Sequence, residues 1–308
     1  MRAAILFGPE DLRVQDVAEP AGEVIVEVQA ATTCGTDVKM WRYGHPVLPP
    51  YPCAFGHETA GVRTDTGERV LVSDSVACGR CEQCLAGRGQ ICREPEWVLG
   101  GFAERIAAPA AALHSIPDGL PARAAAMAEP LGAAVHAISR GSGADDVGVL
   151  GGGPMGLMLA SLLVSQGRAV TVCDRHPERR AQAAEIGARA VERLTRHELV
   201  FEAVGRPDAW REAIGTTAPG GVVVLVGGCP RGTDASFATG PIHYDELDLR
   251  GSFHHSPDEV DQALTALAGG DVDWRLLLGD TISLEQLQPA LQTAGGGPAR
   301  KWVVDPRS

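Results

Sequence analysis

The stretch VGVLGGGPMGLMLASLLVSQG, Val147–Gly167, decides the fold. It opens with a short apolar run, passes through Gly151, Gly153 and Gly156, and continues as an apolar segment of helical length. Each glycine has a physical task in such a turn. The first permits the bend, the second lets backbone approach a pyrophosphate, and the third lets the helix pack on its strand. The start of that helix then offers unpaired N–H groups and its positive dipole end to the phosphates. A bare G-x-G-x-x-G is weak evidence. Here a strand leads in, a helix leads out, and an acid closes the next strand. That acid is Asp174, ending AVTVCD 18 residues after Gly156. It is expected to accept from the ribose hydroxyls of NAD and to repel a 2′-phosphate. Arg179 is expected to lie over the adenine, while Arg175, just after the strand, is the feature that suits NADP. The bland alternative is a Gly-rich turn that merely packs, with Asp174 as an ordinary cap.

Downstream of Asp146 the pattern alternates strand and helix: VGVL, a helix through Gln166, AVTVCD, a helix through Ile186, LVFEAV, a helix near Arg211, and GVVVLVG. That alternation predicts a parallel sheet with crossover helices. A helical segment follows from about Pro257 to Ala268, and RKWVVDP reads as a last strand. Upstream, the alternating VIVEV at Val24–Val28, the strand-like ERVLVSD, and many Gly and Pro residues predict a β-rich, loop-rich first part. Near Pro121 the composition shifts to PARAAAMAEPLGAAVHAIS, which reads as helix broken at Pro130.

CGRCEQCLAGRGQIC holds Cys78, Cys81, Cys84 and Cys92, half of the eight cysteines in the chain. In a reducing compartment such spacing reads as metal ligation rather than disulfides. Four thiolates fill a tetrahedral zinc shell and leave no open position, so this zinc is expected to be structural. An iron–sulfur cluster also takes four cysteines, but the usual downstream Cys-Pro is missing. Two further stretches, CGTD at Cys34–Asp37 and GHE at Gly56–Glu58, carry ligand-type residues, and AEPLG adds Glu129. Singly, each is more often structural than a ligand.

The 308 residues and 44% hydrophobic content suit two domains. The net charge of −12 opposes binding to phosphate backbones, so no nucleic-acid partner is expected. No apolar run reaches membrane-spanning length, and MRAAILFGPEDLRVQDV has no signal-peptide core, so the expected location is the cytoplasm.

Taken together, CGTD, GHE, the four-cysteine loop, GGFAE at Gly100–Glu104, AEPL, GGGPMG, FEAVG at Phe201–Gly205 and LRGSF resemble the zinc-dependent medium-chain alcohol dehydrogenase family, in its polyol and threonine dehydrogenase branch. The likeness covers nearly the whole chain. It implies an α/β architecture: a β-rich GroES-like catalytic domain over residues 1–130 with a zinc lobe at about 77–95, a doubly wound Rossmann domain over 131–270, and a C-terminal return over 271–308. It implies two zinc ions per chain: the structural one, and a catalytic one held by Cys34 and His57 with Glu58 or Glu129. NAD would be held by Gly151, Gly153, Pro154, Met155, Gly156, Asp174 and Arg179, and by Val204, Leu225, Val226, Gly227 and Phe253. A homodimer or homotetramer joined through Val222–Phe253 is also implied.

The implied reaction is hydride transfer between NAD and a secondary alcohol or ketone: a polyol, amino alcohol, cyclitol or amino-cyclitol. Zinc would act as Lewis acid. Thr36 is placed to take the hydroxyl proton, and Asp37 lies beside the metal. The relatives carry a relay histidine three residues after that threonine, whereas this chain has Lys39. An amine with an ordinary pKa of about 10.4 accepts protons poorly near neutrality, so Lys39 either has a lowered pKa or only binds. Met40, Trp41, Tyr43 and His45 are expected to line the substrate pocket, and Cys53, Cys173 and Cys229 to fill core space. The chain is also shorter than its relatives after the His-Glu pair and in the third βα unit. The competing readings are an NADPH-dependent carbonyl reductase and a non-catalytic dinucleotide-binding protein on the same scaffold.

Overall fold

A computed structural model describes every residue except 142 and 231. Its second half is built on a six-stranded parallel sheet. The strand order is Arg189–Val191, Ala169–Cys173, Asp146–Leu150, His197–Glu202, Thr217–Leu225 and Asp248–Gly251. Asp146–Leu150 lies between the two directions of winding, with Val149 paired to Val172 on one side and Phe201 on the other. It is therefore covered on both faces. That is why VGVL is continuously apolar rather than alternating. The next helix, Pro154–Ser165, has eight buried residues spread around it, because it is wedged between the sheet and its neighbours.

The first half is an antiparallel arrangement around one long strand, Val24–Thr32, whose first seven residues alternate buried and half-buried. Thr59–Arg63 pairs with it on one side, and Arg105–Ala108 and Lys301–Val304 also pair with it. The chain thus returns at its C-terminus to the sheet it began: Val303 faces Thr32 and Val304 faces Ala31. Leu278–Ile282 extends the sheet beyond Lys301–Val304.

Two local readings change. The β-rich half contains a helix, Gly35–Tyr43, capped by Cys34 with Asp37 reciprocating. The helical stretch near the seam is broken at Ala126–Met127, not at Pro130, giving helices Ala122–Ala125 and Ala128–Ser139. Pro130 sits in the first turn of the second, where its missing N–H has no intrahelical acceptor to lose. The third βα unit is trimmed, as its abbreviated sequence implies: Arg189–Val191 runs to His197–Glu202 through a loop with no helix. Helices Ala128–Ser139 and Pro257–Gly269 pack together, and the core cluster at the seam, with Ala124, Leu131, Leu157, Val260 and Leu264, joins the two halves.

Candidate metal centre and cofactor cleft

The strand Val24–Thr32 ends in a buried threonine, Thr33 beyond it is buried too, and Cys34 then caps the next helix. The capping geometry fixes the site. Asp37 reaches back so that its Oδ2 accepts the Cys34 N–H at 2.7 Å, while its Oδ1 lies 2.9 Å from His57 Nδ1. One fully buried carboxylate thus orients two candidate ligands. Asp37 Oδ1 occupies one ring nitrogen of His57, and the Cys34 thiol is the ring's other hydrogen-bond partner. Burial pulls the His57 pKa down, but the charge and hydrogen bond of Asp37 outweigh it, and the ring titrates well above its ordinary value.

Cys34, His57 and Glu58 bring a thiol, an imidazole and a carboxylate oxygen within 4.8 Å of one another. That donor set fits zinc with one position left open. Glu58 is fully buried and held from two directions. Lys301 Nζ donates to its Oε1 at 2.8 Å, and the Thr32 hydroxyl donates to its Oε2. Burial raises the Glu58 carboxyl to about 7 against the pull of Lys301, and the carboxylate drives the buried Lys301 amine upward. Glu129 lies close enough for its charge to act on Glu58, and has His255 Nε2 at 3.3 Å in a neighbouring group that also holds Asp74 and His254. There burial opposes ionisation, but mutual attraction leaves Asp74 at about 2 and His254 at about 9.

The four cysteines of the lobe converge. The sulfurs of Cys81 and Cys84 lie 3.4 Å apart, those of Cys81 and Cys92 3.8 Å, and those of Cys78 and Cys84 3.9 Å. A tetrahedron of thiolates about 2.3 Å from a zinc ion has edges of about 3.8 Å, so the cluster fits that ion. Backbone N–H groups of Cys78, Cys81, Arg93 and Glu94 point at the sulfurs. Those from Arg93 and Cys84 lower the Cys81 thiol to about 6.

The glycine turn has the shape its spacing implies. Gly151 has φ of 104°, and a Cβ on Gly156 would lie 1.8 Å from the Gly151 carbonyl oxygen. Around Gly153, which caps the helix ahead of Pro154 and Met155, the space is open. Asp174 accepts from the Gly152 and His176 N–H groups, both at 2.8 Å. Arg179 lies 3.5 Å from Asp174 but spends its donors on the carbonyls of Gly295 and Gly297, so its guanidinium is turned to the C-terminal return. Leu225, Val226, Gly227 and Phe253 line one cavity of about 690 Å³, which also takes in Cys229. Val204 stays exposed beside Gly151. Lys39 Nζ, from the helix that follows Cys34, donates to the Gly228 carbonyl at 3.3 Å and so bridges the two halves.

Some expectations change here. Met40 and Trp41 are buried in the core beside Phe55 and Phe102 and do not line a pocket. Tyr43 is exposed and shares a separate surface cleft with His45 and Tyr51. Cys53 and Cys173 are core residues, whereas Cys229 lines the cavity. Lys301, Asp74, His254 and His255 were not anticipated. Only the paired histidines left a signal, because they follow the last parallel strand at its carboxyl end, where such sheets bind ligands. Nothing near Lys301 marks it in sequence.

A closed thiolate cluster, a second open donor group and a dinucleotide turn between two such domains define a zinc-type nicotinamide-dependent dehydrogenase. Residues 20–118 match the alcohol dehydrogenase GroES-like domain, and residues 154–269 match the zinc-binding dehydrogenase domain. The chain is 31% identical to an L-threonine 3-dehydrogenase of Chelativorans sp. (strain BNC1), over 99% of this chain and 98% of the relative. It is 27% identical to a sorbitol dehydrogenase of Bacillus subtilis (strain 168), over 96% and 93%. A zinc-binding dehydrogenase from Sinorhizobium meliloti 1021, solved with NADP, superposes with a TM-score of 0.91 at 27% identity, covering 99% of each chain. An alcohol dehydrogenase from E. coli CFT073, solved with NADH, gives 0.88 at 25% identity, also over 99% of each. The chain belongs to the zinc-dependent medium-chain alcohol dehydrogenase family. Among the described residues no helix is long and apolar enough to cross a membrane.

Proposed function

We propose that this oxidoreductase moves a hydride between NAD and a secondary alcohol or its ketone, with a polyol, amino alcohol, cyclitol or amino-cyclitol as substrate. The observation that carries the reading is the Cys34, His57 and Glu58 group held by Asp37 at the seam of the two halves. We assign Cys34, His57 and Glu58 as the ligands of the catalytic zinc, and the cysteine lobe as the seat of a second, structural zinc. When bound, the first ion supplies Lewis acidity that lowers a substrate hydroxyl's pKa, and the nicotinamide supplies the hydride acceptor.

The chain's own residues do the rest. Asp37 fixes both ligands, and Lys301 and Thr32 fix Glu58. Thr36, two residues beyond Cys34, accepts the hydroxyl proton as it passes its own on to solvent water. Lys39, anchored on Gly228, holds an anionic or hydroxyl-bearing edge of the cofactor or substrate. Asp174 selects NAD: the nearby acid repels a 2′-phosphate. The thiolate lobe suits a reducing compartment such as the cytoplasm. Asp248–Gly251 ends the parallel sheet, an edge through which two copies would pair as a homo-oligomer.

The test is a screen of NAD and NADP reduction across polyols, amino alcohols and cyclitols. Turnover with NAD, lost in Cys34→Ser, supports the proposal. A preference for NADP would refute the role given to Asp174. One zinc per chain with no turnover would favour a binding protein.

A further inference from the structure

The stretch AGGGPAR, residues 294–300, leads from the helix Leu287–Thr293 into the last strand, Lys301–Val304. It has little rigidity of its own. Three successive glycines lose more freedom on ordering than any other residue would, and Gly295 and Gly297 take φ of 99° and 64°. Yet this stretch delivers Lys301, whose amine holds the buried Glu58 carboxylate at 2.8 Å. The strand that follows does not by itself fix that lysine. Val303 and Val304 pair with Thr32 and Ala31, whereas Lys301 is paired with Leu278, just where the register slips.

The missing restraint comes from one helix of the parallel-sheet half, Pro177–Glu185, which follows Asp174. Arg179 donates Nε to the Gly297 carbonyl at 3.1 Å and Nη2 to the Gly295 carbonyl at 2.7 Å. Gln182, three residues on and so on the same face, is 7% exposed. Its Oε1 accepts the Ala299 N–H at 2.7 Å, and its Nε2 donates to the Leu276 carbonyl at 2.8 Å and the Ala299 carbonyl at 3.4 Å. Both amide hydrogens and the oxygen are thus engaged. A carboxylate could accept from Ala299 but would face two carbonyls, and an amine could do only the reverse.

We propose that Gln182 is a positioning residue for the catalytic metal group. By clasping Ala299, two residues before Lys301, it sets the lysine against Glu58 from the opposite half of the molecule. Arg179 steadies the glycines upstream. The inference rests on the assignment of Cys34, His57 and Glu58 as ligands. The path is short and buried: Gln182, Ala299, Lys301 and Glu58 are all less than one-tenth exposed. It also reaches the thiol ligand, because the Trp302 N–H donates to Thr33 Oγ1 at 3.0 Å, next to Cys34. The helix that follows the ribose acid thereby carries one end of the metal group.

The experiment uses full-length protein and two readouts. One is zinc affinity by chelator competition, with the four-cysteine lobe as internal control. The other is the visible spectrum after cobalt substitution, in which the bands that His57→Ala removes belong to the Cys34 site. Gln182→Met keeps the side-chain length and removes all three hydrogen bonds. It is expected to weaken zinc at the Cys34 site roughly 3- to 10-fold, less than the loss of a direct partner of a ligand, and to shift that site's cobalt bands. In the Lys301→Met/Glu58→Gln background the same substitution should change affinity by less than about twofold, because its effect runs through that pair. An equal loss in both backgrounds overturns the proposal. So does a Gln182→Met protein whose urea midpoint falls while its cobalt bands and zinc affinity stay put, since the amide is then structural only. Cobalt bands that His57→Ala leaves in place refute the ligand assignment, and the inference falls with it. If Gln182→Met does not fold, Gln182→Glu, which keeps the acceptor and loses both donor contacts, carries the test with the same expected outcomes.

Discussion

Asp37→Asn isolates the contribution of one carboxylate to the candidate zinc site. Asp37 is fully buried and accepts from the Cys34 N–H at 2.7 Å, and its other oxygen meets His57 Nδ1 at 2.9 Å. Asparagine keeps the size but has one acceptor oxygen, so one of the two donors loses its partner and the negative charge disappears. A buried hydrogen bond to a charged group contributes about 1.5–3 kcal/mol. At about 1.4 kcal/mol per decade, zinc affinity at Cys34 and His57 should fall roughly 10- to 100-fold. The assay is competition with a chromophoric chelator, with the four-cysteine lobe as internal control. Affinity at the Cys34 site unchanged within about twofold would refute the reasoning, as would an equal weakening of the lobe.

Three other substitutions probe the frame. Gly156→Ala places a methyl where the Gly151 carbonyl sits, 1.8 Å away, so the fingerprint helix must shift; stability should fall by about 1–3 kcal/mol in urea, with a clear loss of NADH binding by fluorescence titration. Lys301→Met strands the buried Glu58 carboxylate and should cost about 3–5 kcal/mol by the same measurement, most of it restored in Lys301→Met/Glu58→Gln. Glu259 is pulled upward by partial burial, but His136 and the Ser256 donors hold its carboxyl below the ordinary value. Its contribution is complete above the unfolded value of about 4.3 and is lost as pH falls through the lower folded value, so the urea midpoint of Glu259→Gln should change less on acidification than that of the parent.

The sequence exposed what depends on short-range pattern. The turn from Gly151 to Gly156 is local: a strand, three glycines and a helix within one unit, with each glycine's need visible in its spacing. The cysteine lobe is local too, and the convergence of its four sulfurs follows from a tight loop. Met40 and Trp41 were misplaced because helix Gly35–Tyr43 turns them into the core, which depends on what packs against it. Pro130 was misread because a proline in a first helical turn looks, in sequence, like one in the middle. Lys301 was invisible because its partner lies 243 residues away.

That distance is a pattern rather than an accident. At the seam the buried acids meet basic side chains from far along the chain. Glu58 meets Lys301, Asp74 meets His254 at a separation of 180 residues, and Glu129 meets His255 at 126. Only Asp37 finds its partner nearby, 20 residues on at His57. A buried carboxylate without its partner either takes up a proton or remains strongly unfavourable. The first half therefore cannot hold Glu58 charged, nor complete the surroundings of Cys34 and His57, until the last strand arrives with Lys301. Closing the antiparallel sheet and assembling the metal group are then one event. Mutations in the C-terminal return should thus weaken the metal group even where they touch none of its ligands.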